Sequence, residues 1–207
     1  MNRKFMGGLC IVFGALLILA AVFLVMRNES SQSNAESISM EVLELLEPMI
    51  EIKETENSVE VTDFPVEIPD YQYNPDMQMP VTVINGIEYI GTIEIPNLEI
   101  KLPIISSSTP ANLKKAPCRY SGSTYQDNLV IGAHNYNSHF GRLKVLSYGD
   151  EIRIYDMDGN EFLYQVADIE ILQPNQLDYL IGTDWPLTLY TCTIGGRSRV
   201  VVRCDKL

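Results

Sequence analysis

Hydrophobic and polar positions divide the 207-residue chain into three textures. Residues 5–26 form one uncharged, mostly apolar run of 22 residues. At about 1.5 Å per residue, a helix of that length covers roughly 33 Å, enough for the hydrocarbon core of a bilayer. A cleaved secretory signal competes with this reading, but its apolar region is usually only about 7–15 residues long. The small residues near Ser33 and Ala35 also make a poor cleavage site. The pattern therefore predicts an uncleaved signal anchor, with residues 5–26 spanning and residues 1–27 as the whole anchor segment. Arg3 and Lys4 precede the span, while Arg27 and Glu29 follow it. The positive-inside rule then places the N-terminus in the cytoplasm and everything after residue 27 outside the cell. Cys10 lies inside the span as a small apolar residue.

The second texture, residues 28–80, is polar and broken. Residues 30–34 carry no apolar side chain. Val42, Leu45, Leu46 and Met49 recur at helical spacing within residues 35–53, with Pro48 inside the pattern. Residues 55–80 hold four prolines and many acids, which predicts an extended linker. Charge sharpens this division. The chain carries a net −12. Residues 28–80 hold thirteen acids against Lys53 alone, so the acidity belongs to a stalk and not to the domain that follows. No basic cluster suits a nucleic-acid backbone, and no nucleic-acid partner is expected.

From residue 81 the pattern changes to short apolar runs separated by turn residues. Strands are predicted at 87–95, 98–105 (with Pro103 marking an edge or bulge), 128–133, 151–155, 161–171, 187–192 and 198–204. Asp158-Gly159 is a hairpin turn between two of them. Short helical turns are expected near Thr109-Pro110-Ala111-Asn112-Leu113 and across 139–146. Many short strands with little helix argue an all-β barrel or sandwich over residues 81–207.

Two of these strands end on residues with chemistry. The apolar run Leu129-Val130-Ile131 leads through Gly132 and Ala133 to His134, and Leu187-Thr188-Leu189-Tyr190-Thr191 leads to Cys192. Arg199 opens the returning run Val200-Val201-Val202. A cysteine needs its thiolate to act as a nucleophile, a histidine can trade protons near neutral pH, and an arginine stays charged and donates hydrogen bonds. Arg197 lies two residues from Arg199 and is the alternative cation, while Arg203 reads as a surface charge. His139, the only other histidine, reads as a loop residue at the rim. Two histidines without an acid cluster do not make a metal site, so no metal is expected. The order His before Cys, 58 residues apart, excludes papain-like peptidases. Asp156-Met157-Asp158-Gly159-Asn160 faintly suggests a calcium loop, but Ala167 stands where a bidentate glutamate would be needed. Four cysteines are too few for a disulfide scaffold. For Cys118 and Cys204, two free structural thiols and one bridge both remain open.

On Thr188-Leu189-Tyr190-Thr191-Cys192, with His134 at the end of an earlier strand and Arg199 on the strand after the cysteine, the sequence resembles the sortase family. These are the cell-wall transpeptidases of Gram-positive bacteria, with a Thr-Leu-x-Thr-Cys signature. The resemblance covers about residues 87–205. The family commonly has glycine directly before this histidine, whereas here Ala133 intervenes. The resemblance implies an eight-stranded β-barrel, with Cys192 as nucleophile, His134 as acid and base, and Arg199 holding the substrate carbonyl. It further implies that Leu189 and Thr191 line the groove and that residues 172–186 set substrate specificity. Implied partners are a sorting-signal peptide of a secreted protein and an amine acceptor, from a peptidoglycan precursor or a pilin, with no cofactor. Residues 172–186 are too few for the long helix of class B sortases, and the class stays open between class B-like and class D-like. A cysteine peptidase that hydrolyses, and an inactive surface-binding barrel, are the two other readings.

Overall fold

The computed structural model describes residues 3–58 and 68–207. The chain divides into two compact units, Met1–Asn34 and Ala35–Leu207. The first belongs to helix α1 (Arg3–Ser58) and exposes Phe13, Leu16, Leu17, Ile18, Leu19 and Phe23 to their surroundings. By length and composition this helix is able to cross a membrane.

The second unit is a β-barrel. Its strands are β1 (Thr82–Ile84), β2 (Ile87–Ile95), β3 (Ile100–Ile105), β4 (Cys118–Ser121), β5 (Leu129–Ala133), β6 (Glu151–Asp156), β7 (Glu161–Leu172), β8 (Leu187–Cys192) and β9 (Arg199–Lys206). They hydrogen-bond in the order β1-β2-β3-β4-β5-β8-β9-β7-β6, and β2 also pairs with β6. That last pairing closes eight strands, β2 to β9, into a ring and leaves β1 as a hairpin arm on β2. Closure removes the open sheet edges that invite aggregation. It depends on Gly91, where β2 bulges between its β3 and β6 partners. Gly91 has φ +145°, and a Cβ there would lie 1.9 Å from the Tyr155 carbonyl oxygen.

The long strands fall where the apolar runs predict them. β1 and β4 do not stand out in the sequence, being three and four residues long. The helix start expected at Thr109 is a set of turns, with the Leu113 N–H donating to the Thr109 carbonyl. The barrel interior is filled by Ile93, Ile95, Ile104, Leu129, Ile131, Phe140, Ile154, Leu187, Leu189 and Val202, among others.

Two pieces of the segment read as a stalk lie against the barrel. Residues 35–50 are helical, and Ala35, Ser39, Val42, Leu46 and Ile50 are buried. Val42, Leu46 and Ile50 cluster with Ile84, Tyr89, Ile105 and Cys118 on the barrel wall, and the Ser39 hydroxyl donates to the Lys115 carbonyl at 3.0 Å. Leu45 and Met49, expected on the same face, point outward. The linker expected across 55–80 falls partly on residues 59–67, which lie outside the described residues. Its end, however, is docked. Helix α2 (Asp70–Tyr73) stacks Tyr71 on Tyr125, with ring centroids 4.6 Å apart, and Met79 enters the barrel core.

Candidate active site

Three neighbouring strands carry the candidate residues to one end of the barrel. β5 and β8 run parallel with Ala133 opposite Thr191, so His134 leaves its strand beside Cys192. β8 and β9 run antiparallel, and Cys192 is directly opposite Arg199. Adjacent strands lie about 4.8 Å apart, which puts all three side chains within reach of one small group. His134, Cys192 and Arg199 line a single cavity of about 370 Å³. Its remaining wall is mostly apolar: Pro110, Leu113, Tyr120, Leu177, Leu180 and Tyr190, with Lys114 at one side.

Cys192 is a free, half-buried thiol. The His134 ring stacks on Tyr136, with centroids 4.2 Å apart and planes 7° from parallel. Its Nδ1 lies 3.1 Å from the Asn135 side-chain oxygen. In the tautomer protonated on Nδ1 this contact is a donated hydrogen bond and Nε2 is the acceptor. Arg199 is tethered by the turn between β8 and β9. Its Nη1 donates to the Gly196 and Ser198 carbonyls, both at 3.1 Å. Arg197, the alternative cation, is exposed in that turn, before β9 begins.

Three expectations change at this end of the barrel. Leu189 and Thr191 do not line the cavity. Side chains alternate along β8, so residues one and three places from Cys192 point the other way. Leu189 is in the barrel core, and the Thr191 hydroxyl donates to the Ala133 carbonyl at 2.9 Å, tying β8 to β5. The side chain two places back, Tyr190, shares the Cys192 face and forms the wall, edge-on to Tyr120 at 5.6 Å. The same period of two is readable from the sequence and points to Tyr190.

His139 is not at the rim. It is fully buried, tilted against Tyr136 at 5.5 Å, and neither ring nitrogen meets a partner. Burial, with a smaller contribution from nearby His134, pushes its pKa down to about 4. Arg203 is likewise no surface charge. It is 2 % exposed and hydrogen-bonded on three sides. Ala133, which separates Gly132 from His134, is buried in the core cluster and also borders the cavity.

Cys118 and Cys204 are both free thiols, each buried in a different apolar cluster. Burial pushes the Cys118 thiol up to about 12 and raises that of Cys204 as well. The Asp156–Asn160 hairpin turn uses its carboxylate internally. Asp156 accepts from the Tyr125 hydroxyl, the Asn160 side chain, and the Asp158 and Asn160 amides.

Known proteins similar to this chain in sequence or fold are sortases. The chain is 32% identical to Sortase A of Bacillus anthracis over 117 residues, covering 51% of this chain and 52% of that protein. It is 29% identical to Sortase D of Bacillus subtilis (strain 168) over 85 residues, 40% of this chain and 42% of the relative. The chain therefore matches about half the length of these curated relatives. The solved structure of a Clostridium perfringens sortase D5 transpeptidase superimposes with a TM-score of 0.59 over 83% of this chain and 99% of that one, and at 21% identity it speaks for the fold alone. The relatives carry different class letters, and the class is unresolved. The family model for the sortase domain matches residues 93–207, more than half of the chain and all of the strands that bear the site, and the chain belongs to the sortase family.

Proposed function

We propose that the protein is a membrane-anchored cysteine transpeptidase acting outside the cell on the sorting motif of secreted proteins. The observation that carries this reading is the convergence of Cys192, His134 and Arg199 on one cavity with an apolar wall. The Cys192 thiolate attacks the backbone carbonyl carbon at the motif. A C–S bond forms, the C–N bond breaks, and the C-terminal piece leaves as an amine that takes its proton from His134. An acceptor amine then gives a proton to His134 and attacks the thioester, so that a new C–N bond replaces the C–S bond. Arg199 donates to the carbonyl oxygen as negative charge gathers there, a stabilisation that is strongest in the transition state. The turn carbonyls that hold Arg199 fix its direction before substrate arrives.

The apolar wall supplies the place for the residues that precede the scissile bond. Leu177 and Leu180 belong to the β7–β8 connection, which supports residues 172–186 as the specificity element. Tyr190 and Tyr120 take the role that the resemblance alone gives to Leu189 and Thr191. The apolar helix at the N-terminus serves as anchor, and the charges around it favour a cytoplasmic N-terminus. The acceptor is the amine of a cell-wall precursor or of a pilin lysine.

The test is a fluorogenic library of Leu-Pro-x-Thr-Gly-like and Asn-Pro-type peptides offered to the detergent-solubilised full chain. Each is run with and without a glycine or diaminopimelate-type amine, beside Cys192→Ala. Cleavage that needs Cys192, with product diverted to the amine, supports the proposal. Cleavage that ignores the amine identifies a hydrolytic peptidase, and no cleavage of any motif defeats both.

A further inference from the structure

The face of β9 that carries Arg199 continues, by alternation, through Val201 to Arg203. Arg203 is 2 % exposed, which for a charged side chain requires a full set of partners. Its guanidinium meets three elements at once. Nε donates to Glu170 Oε1 on β7 at 2.9 Å, and Nη1 donates to Thr188 Oγ1 on β8 at 2.9 Å. Nη2 donates to the backbone carbonyl of Tyr179 at 2.5 Å. Tyr179 lies in the 3₁₀ segment Pro174–Leu180, whose Leu180 packs with Leu172 of β7 and Val201 of β9.

That segment has few other attachments. Leu180 is its only buried residue, packing with Leu172 and Val201, and Leu177 and Tyr190 pack against the same cluster. Yet Leu177 and Leu180 form part of the cavity wall that faces Cys192. The position of the wall therefore depends on a small apolar cluster and one buried guanidinium. Lysine does not replace the latter, because a single ammonium on a flexible stem lacks the planar fork that reaches three separated acceptors.

We propose that Arg203 is a positioning residue: it fixes the Pro174–Leu180 segment as a wall of the Cys192 cavity, and through that wall governs engagement of the peptide without touching the reacting atoms. The second half of this statement rests on the transpeptidase reading above, whereas the first does not.

The experiment compares the full chain with Arg203→Lys, Arg203→Met and Thr188→Val. Thr188→Val removes one of the three acceptors and keeps the volume, so it reports even where an Arg203 variant fails to fold. Amide hydrogen exchange across Pro174–Leu180 is expected to quicken at least about tenfold in Arg203→Lys, and by a smaller factor in Thr188→Val. Exchange in β5 and β8 stays unchanged. Alkylation of Cys192 by iodoacetamide, a reagent too small to need the wall, is expected to stay within about twofold of wild type. KM for the cleaved peptide rises about tenfold, with kcat within about twofold. Unchanged exchange in Pro174–Leu180 overturns the anchoring role. Faster exchange with unchanged KM, or a fall in kcat and alkylation together, overturns the positioning role. Absence of turnover by the wild-type chain instead defeats the transpeptidase reading and the substrate half with it, while the exchange result still decides the anchor.

Discussion

Replacing Gly132 with alanine tests how tightly the cavity wall is built into the barrel. Gly132 lies in β5, opposite Tyr190 of β8, and the tyrosine ring is folded over it. A Cβ at position 132 would lie 2.4 Å from Tyr190 Cζ and 2.6 Å from its hydroxyl oxygen. Ordinary contact begins near 3.4 Å, so the ring must retreat by about 1 Å. Tyr120 stands edge-on at 5.6 Å on one side, so the open direction for the ring is into the cavity that both rings wall beside Cys192. Overpacking of this kind costs about 1–3 kcal/mol. In a domain of this size each kcal/mol lowers Tm by about 2–8 °C. The assay is a double-mutant cycle of Gly132→Ala and Tyr190→Leu, read by denaturant unfolding and by peptide turnover. The clash predicts that Gly132→Ala destabilises strongly in the wild-type background and little in the Tyr190→Leu background, a coupling of about 1 kcal/mol or more. Peptide KM should rise in Gly132→Ala because the displaced ring enters the cavity. Additivity within about 0.5 kcal/mol would refute the reasoning, since it would mean that the ring and the methyl do not compete for the same space.

Three further outcomes follow from particular groups. At pH 8, iodoacetamide should modify Cys192 of the folded chain while Cys118 remains at or below about 1 % modification, because a thiol pushed up to about 12 holds almost no thiolate there; comparable labelling by peptide mapping would contradict this burial. His139 should make the fold acid-sensitive. Its pKa is lowered from 6.5 to about 4, so between those values the unfolded chain binds a proton that the folded chain excludes, and stability falls as pH drops through that window. The stability difference between wild type and His139→Phe should shift by about 2–3 kcal/mol from pH 7 to pH 4, and a pH-independent difference in chemical denaturation would reject it. Arg199→Lys keeps the charge but loses the fork held by the Gly196 and Ser198 carbonyls, and should lower kcat for the cleaved peptide about 10²–10³-fold with KM little changed.

The sequence carries the barrel because its long strands are uninterrupted apolar runs bounded by turn residues. The strands β5 and β8 announce themselves in that way, and their tips carry His134 and Cys192. What it does not carry depends on contacts between distant residues. Arg203 looks like an outward charge on a strand until Glu170, Thr188 and Tyr179 are brought around it. His139 follows polar residues in a turn, and only the fold buries it behind Tyr136. Adjacency to Cys192 suggests Leu189 and Thr191 for the groove, where the strand's period of two selects Tyr190 instead. Along residues 35–50 the helical spacing is legible, but not which stripe faces inward. Val42 and Leu46 do, together with Ala35, Ser39 and Ile50, because the receiving surface comes from β1, β2, β3 and the chain before β4. β4 itself is short and follows Pro117, so no apolar run marks it.

In the proposed function, Cys192 takes an acyl group from a peptide and surrenders it to an amine. The most direct measurement is intact mass and peptide mapping of the full chain quenched in acid during turnover of a cleaved peptide. The expected result is an adduct on Cys192 with the mass of the N-terminal part of the substrate. The adduct should accumulate when no amine is present, disappear on addition of hydroxylamine with release of the hydroxamate, and be absent from Cys192→Ala. Turnover without any adduct on Cys192, or an adduct on another residue, would contradict it.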